Sequence, residues 1–154
     1  MMKIAIGSDH GGYILKERIV EHLSKNPLYK LKDFGTFDSQ SVDYPDFARE
    51  VAVPVSGGEF DRGILCCGTG IGVSIAANKV PGIRAALCGD TFSARASREH
   101  NDANILCVGE RVIGPGLALD IVDIWLESEF SGDRHGRRVQ KIKDIENKYS
   151  REGN

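Results

Sequence analysis

Cys67 ends an apolar run, Gly63-Ile64-Leu65-Cys66-Cys67, and a loop with glycine at every second position follows at once, Gly68-Thr69-Gly70-Ile71-Gly72. Ser74-Ile75-Ala76-Ala77-Asn78-Lys79 then reads as the start of a helix. A strand that carries a thiol to its end, followed by bare backbone amides and a helix amino terminus, is an anion site. The same field favours the thiolate form of Cys67. One short segment therefore offers both a base and the donors for a developing oxyanion. Cys66 and Cys67 are neighbours on a strand and point to opposite faces, so one belongs to the core. Cys67, nearer the strand end, is the candidate for chemistry. Val73 breaks the dinucleotide-binding fingerprint, and there is no G-x-x-x-x-G-K for a nucleoside triphosphate. The plain alternative for the glycine loop is a tight turn.

The elements that must position this segment follow a strand-then-helix rhythm. Strands are predicted at Lys3–Gly7, Tyr29–Phe34, Gly63–Cys67, Arg84–Cys88 and Ile105–Val108. Helices are predicted at Tyr13–Leu23, from Pro45 to about Ser56, from about Gly72 to Lys79, at Thr91–Glu99 and at Pro115–Glu127. Pro45 suits a first helical position with Asp43 as its cap, and Pro54 disturbs the last turn of the same helix. The strands are short and continuously apolar, as in a parallel sheet covered on both faces. The expected fold is α/β, a Rossmann-like doubly wound five-stranded parallel sheet in three layers. Ligands in such folds bind beyond the carboxyl ends of the strands. Asp9, His10, Gly11 and Gly12 follow the first strand there, and Gly109, Glu110 and Arg111 follow the fifth. The bland readings are a helix cap for Asp9 and surface histidines for His10 and His100.

Composition bounds the partners. The chain has 154 residues, 41% of them apolar and 27% charged, which is ordinary usage for one globular domain spanning 1–154. A net charge of -2 gives no electrostatic case for nucleic acid or an anionic membrane. No apolar run approaches the ~20 residues of a membrane span, and the amino terminus lacks the apolar core of a secretion signal. Cys66, Cys67, Cys88 and Cys107 all lie in or at the end of apolar runs, which points to a reduced, cytoplasmic protein and not to a disulfide framework.

A second signal lies at the carboxyl terminus. With Asp133 as cap, a helix brings Arg134, Arg138, Ile142, Ile145 and Tyr149 into one stripe. The two arginines either snorkel at the edge of a docking surface or reach a phosphate. This helix can also reach a second copy of the chain.

Almost end to end, the chain resembles the type B ribose-5-phosphate isomerases, which group with the galactose-6-phosphate isomerase subunits. The residues that carry the resemblance are Gly7-Ser8-Asp9-His10-Gly11-Gly12, Asp43-Tyr44-Pro45, Cys67 to Gly72 through Ala76-Ala77-Asn78-Lys79, Glu99-His100-Asn101-Asp102 and Gly132-Asp133-Arg134-His135-Gly136-Arg137-Arg138. The resemblance implies interconversion of ribose 5-phosphate and ribulose 5-phosphate without metal or cofactor, by dimers or dimers of dimers with shared active sites. One branch of the family uses the cysteine as base. Another has a glutamate six positions later, where this chain has Val73, so Cys67 fits the cysteine branch.

By that resemblance His100 opens the sugar ring, an exchange suited to an imidazole that titrates near neutral pH. Cys67 takes the carbon-bound proton, and the amides of Gly68, Thr69, Gly70, Ile71 and Gly72 hold the enediolate. Asp9, Asn101 and Thr69 orient sugar hydroxyls. His10, Arg111, Arg134 and Arg138 bind the phosphate, the last two from a partner subunit. The rival classes are an isomerase of a six-carbon sugar phosphate, a non-catalytic sugar-phosphate-binding module, a thiol redox protein and a metal enzyme. The redox reading lacks C-x-x-C spacing, and the four histidines show no metal-ligand spacing.

Overall fold

The computed structural model describes residues 1–150. Five strands, β1 (Met2–Ser8), β2 (Tyr29–Asp33), β3 (Arg62–Cys67), β4 (Ala85–Leu87) and β5 (Ile105–Gly109), form one parallel sheet in the order β2-β1-β3-β5-β4. Between and after them run α1 (Tyr13–Ser24), α2 (Tyr44–Ser56), α3 (Ile71–Ala77), α4 (Thr91–Glu99), α5 (Pro115–Glu127) and α6 (Arg134–Tyr149).

Two apolar clusters sandwich the sheet. Leu15, Ile19 and Leu23 of α1 pack with Ala94 of α4 and with Ile121, Val122 and Trp125 of α5 on one face, against Ile4, Ile6, Ile64 and Leu106. Ala48, Val51, Ala52 and Val55 of α2 pack with Val73 and Ala77 of α3 on the other, against Leu65 and Ile105. Each fully buried Val, Leu or Ile contributes roughly 1.5–3 kcal/mol, and this spacing is what turns amphipathic segments into three layers.

The expected fold is the observed one, with differences at element ends. β2 stops at Asp33 and β4 keeps only three residues. Neither Asp43 nor Asp133 caps its helix with a side-chain hydrogen bond, whereas Asp90 accepts the Ser93 amide at the start of α4. α3 starts one residue earlier than expected because Gly70, at φ 76, serves as its N-cap in a left-handed conformation. The proposed stripe of α6 is not its buried side: His135 and Val139 are buried, while Ile142, Ile145 and Tyr149 are 46%, 61% and 71% exposed. No helix among the described residues is long and apolar enough to cross a membrane.

The order of strands makes β1 and β3 neighbours whose following helices leave to opposite faces. This is the switch point at which such sheets open a crevice. Gly12, where α1 begins, lies so close to β3 that a Cβ there would overlap the Cys66 carbonyl carbon and sit 2.6 Å from the Cys67 nitrogen. Backbone cannot step aside for a methyl group, so Gly12→Ala should destabilise the protein by at least ~1–3 kcal/mol. A lower urea midpoint with an unchanged slope would report this, and an unchanged midpoint would contradict the contact.

Candidate active site

Three loops meet at the carboxyl edge of the sheet, and backbone hydrogen bonds lock them together. The Asp9 amide donates to the Cys66 carbonyl, the Glu110 amide to Cys67 and the Arg111 amide to Gly68. Asp9 is buried, and its Oδ1 accepts the Gly12 amide at 3.1 Å, so it does close the turn before α1. Glu110 reaches across to accept the Leu15 amide at 2.7 Å, another free donor of the first turn of α1.

Cys67 lies at the centre of this floor. Its Sγ accepts the Gly70 amide at 3.0 Å, and its side chain belongs to the cluster of the α2–α3 face, 5% exposed. Cys66 is fully buried in the opposite cluster. Burial, and then the neighbouring Cys67, push the Cys66 thiol far above its ordinary range. Cys107 is raised as well, again chiefly by burial. Pleating alone thus separates a thiol at the site from a thiol in the core.

The glycine loop is held open by close packing. A side chain at Gly70 would meet Leu87 and the backbone of Val108 within 2.9 Å, and one at Gly72 would meet the Tyr44 ring at 2.9 Å. Thr69 Oγ1 accepts the Ile71 amide at 3.2 Å, and the Thr69 side chain stays exposed. Arg111 leans over Gly68, with Nη1 3.2 Å from where a Cβ would be. His10 accepts the Val42 amide on Nδ1 at 3.1 Å, an arrangement that leaves its Nε2 as the proton-bearing nitrogen. Asp9, His10, Cys67 to Gly72 and Arg111 are therefore one constellation, as the sequence suggests.

His100, Asn101, Arg134 and Arg138 are not part of it within one chain. α4 begins near the carboxyl edge and carries the chain back, so His100, its C-cap, sits at the amino edge. Asn104, just beyond, accepts the Gly63 amide on its carbonyl, and Gly63 lies four residues before Cys67. At about 3.3 Å per residue, that is ~13 Å along β3. A hydrogen-bonded base and acid must each come within ~3 Å of the reacting group. α6 lies on this amino edge too. His135 stacks on His100 with ring centroids 4.3 Å apart and planes 11° apart, and Glu146 accepts the Gly82 amide before β4.

The amino-edge cluster is firmly built. Asp102, at φ 48, takes Arg98 on one carboxylate oxygen at 2.9 Å and Arg84 on the other at 3.2 Å. Arg84 also donates to the carbonyls of Asn101 and Asp102, and the buried Arg98 to Ala103 and Ser128. A positive φ outside glycine is uncommon, and here two guanidinium groups fix the turn that presents His100 and Asn101. Tyr44, His135 and this clamp are the residues that sequence reasoning gave no role. Tyr44 and His135 lie inside the motifs quoted above, but nothing in their spacing assigned them contacts.

The sequence profile of the ribose/galactose isomerase family matches residues 4–142. The chain belongs to this family. Ribose-5-phosphate isomerase B of Escherichia coli is 53% identical over 146 residues, covering 95% of this chain and 97% of that one. The structure of Clostridium thermocellum ribose-5-phosphate isomerase B superposes with a TM-score of 0.95 at 64% identity, over 97% of this chain and 100% of that one. That of Mycoplasma genitalium ribose-5-phosphate isomerase B with bound ribulose-5-phosphate gives 0.91 at 42% identity, over 97% and 98%.

Within this isomerase fold the two adjacent thiols should differ sharply toward an alkylating agent. Iodoacetamide is expected to modify Cys67 first, with Cys66, Cys88 and Cys107 reacting only on unfolding. Peptide mass spectrometry reads the order. Faster labelling of Cys66 would reverse the assignment of faces.

Proposed function

We propose that the chain is an aldose–ketose isomerase that interconverts ribose 5-phosphate and ribulose 5-phosphate, with Cys67 as the carbon base. The observation that carries this reading is the Cys67 sulfur at the carboxyl edge of the sheet, accepting a glycine-loop amide at 3.0 Å. The family and the ribose-5-phosphate isomerases B to which the chain is similar support the substrate.

The chemistry follows from the groups. His100 exchanges a proton with the ring oxygen and opens the cyclic aldose. The Cys67 thiolate then removes the proton from C2, and the bonding pair moves to form an enediolate with its charge on O1. Amides of the Gly68–Gly72 loop other than those held by Cys67 Sγ and Thr69 Oγ1 are the donors for that charge. One well-placed oxyanion donor is typically worth ~2.7–4 kcal/mol, comparable with the base itself. The thiol returns its proton to C1 as a proton passes from O2 to O1, which leaves the ketose. Asp9, Thr69 and Asn101 orient the hydroxyls. His10 and Arg111 bind the phosphate together with Arg134 and Arg138.

Such a site needs two chains. Cys67 and His100 of one protomer stand on opposite edges of its sheet, so His100, Asn101, Arg134 and Arg138 act from a partner subunit. Exposed apolar side chains support the contact: Ile71, Ile75, Leu87 and Phe92 on the carboxyl side are 50%, 58%, 44% and 73% exposed, and Ile142, Ile145 and Tyr149 of α6 on the amino side are exposed as well. A two-fold dimer presents each amino edge to the other's carboxyl edge and makes two equal sites.

Cys67→Ser replaces an ionisable thiol by a hydroxyl of similar size, and turnover of ribose 5-phosphate in EDTA should fall at least ~10²-fold. Cys66→Ser should cost stability and leave the rate within a few-fold. Full activity in both variants would remove cysteine from the mechanism.

Subunit mixing tests the shared site. Cys67→Ala and His100→Ala chains, each inactive, should recover about a quarter of wild-type activity after exchange, because half the dimers are hybrid and each has one intact site. His100→Ala mixed with Arg138→Ala should not recover in this way, since both lesions lie on the same half. The opposite pattern would put His100 in the same chain's site as Cys67.

A further inference from the structure

The mechanism above gives no role to His135, although its ring is buried beneath the exposed imidazole of His100. The two rings are stacked, 4.3 Å between centroids and 11° between planes. Among the described residues neither imidazole makes a side-chain hydrogen bond, so the ring face is the contact that orients His100. An exposed histidine at a helix end would otherwise exchange among its rotamers.

The surroundings of His135 suit a platform. It sits in the first turn of α6, and the segment before it is tied to α4: the Ser131 amide donates to Glu99 and Arg98 donates to Ser128. Burial, then His100 and the guanidinium groups of Arg134 and Arg138, lower the His135 pKa, while Asp133 opposes them. A neutral ring can lie under His100 whichever protonation state His100 takes. A charged ring would repel the imidazolium that a proton exchange must pass through.

We propose that His135 is a positioning residue whose ring holds the His100 imidazole in the orientation needed to exchange a proton with the sugar ring oxygen. This rests on the reading of His100 as the ring-opening group. It also separates two duties within one turn of α6. Arg134 and Arg138 supply charge to the phosphate, and His135 supplies a surface.

The test uses the full-length oligomer and ribose 5-phosphate. His135→Ala should lower kcat at least ~10-fold with KM within ~3-fold, at wild-type oligomeric state. His135→Phe keeps a flat neutral ring and should return kcat to within ~3-fold of wild type. A role in merely docking α6 would instead move the arginines, raise KM and show as a lower melting temperature in both variants. A His135→Ala enzyme with unchanged kcat, or a folded Phe variant as slow as the Ala variant, overturns the proposal. His100→Ala run in parallel separates the two levels. If His100→Ala is inactive while His135→Ala is normal, only the positioning role falls. If His100→Ala is fully active, the ring-opening reading falls and the proposal with it.

Discussion

Direction is the constraint on which everything else in this molecule depends. All five strands run the same way, so every connecting helix must carry the chain back across the full height of the sheet. Each strand end is therefore a place where loops gather, and each helix end is a place on the far side. Cys67 and its glycine loop belong to the first kind of end and the histidine-arginine cluster to the second. No local adjustment of a side chain bridges about 13 Å of strand. The chain thus places its two polar clusters on opposite edges of the sheet, facing away from each other.

Within the carboxyl edge, precision comes from backbone packed on backbone. Gly12 lies against the end of β3, Gly109 against Thr69, and Gly70 against Leu87 and Val108. Three loops from separate parts of the chain are thereby fixed by contacts that admit no Cβ. The amide of Gly70 can then aim at Cys67 without the cost of ordering a flexible loop at the moment of reaction. At the amino edge the same rigidity is obtained differently, through Asp102 held between Arg84 and Arg98. The carboxyl edge is built from absent side chains and the amino edge from charged ones.

Much of this was legible in the residues themselves. Continuous apolar runs such as Ile64-Leu65-Cys66 mark strands buried on both faces, and α4 and α5 begin and end where their patterns say. The glycine loop and Cys67 announce themselves because they are adjacent in sequence, and local adjacency survives folding. What the sequence left open was the bonding at the helix caps and which side of α6 the protomer buries. Asp43 and Asp133 do stand at the N-cap positions of α2 and α6, but neither carboxylate accepts a hydrogen bond from its helix. The apolar stripe of α6 stays exposed on the protomer, and periodicity alone cannot tell an exposed stripe from a buried one. The separation of His100 from Cys67 was readable in principle, since a residue just past the helix that follows a parallel strand must lie on the amino edge. The stack of His100 on His135 was not, because it joins residues from two elements with no pattern to couple them.

The opposed thiols carry a consequence for the chemical lifetime of the protein. A peroxide that reaches Cys67 yields a sulfenic acid, which ordinarily is rescued when a second thiol condenses with it. Here Cys66 faces the other side of the sheet. Cys107 shares the face but pairs with Leu65, two positions back, roughly 8 Å away at Cα given ordinary strand spacings and beyond what a disulfide spans. With four cysteines in the chain, the one at the crevice has no internal partner to resolve its oxidation. A thiol from outside the chain is then what resolves it, and oxidation beyond the sulfenic acid is ordinarily irreversible.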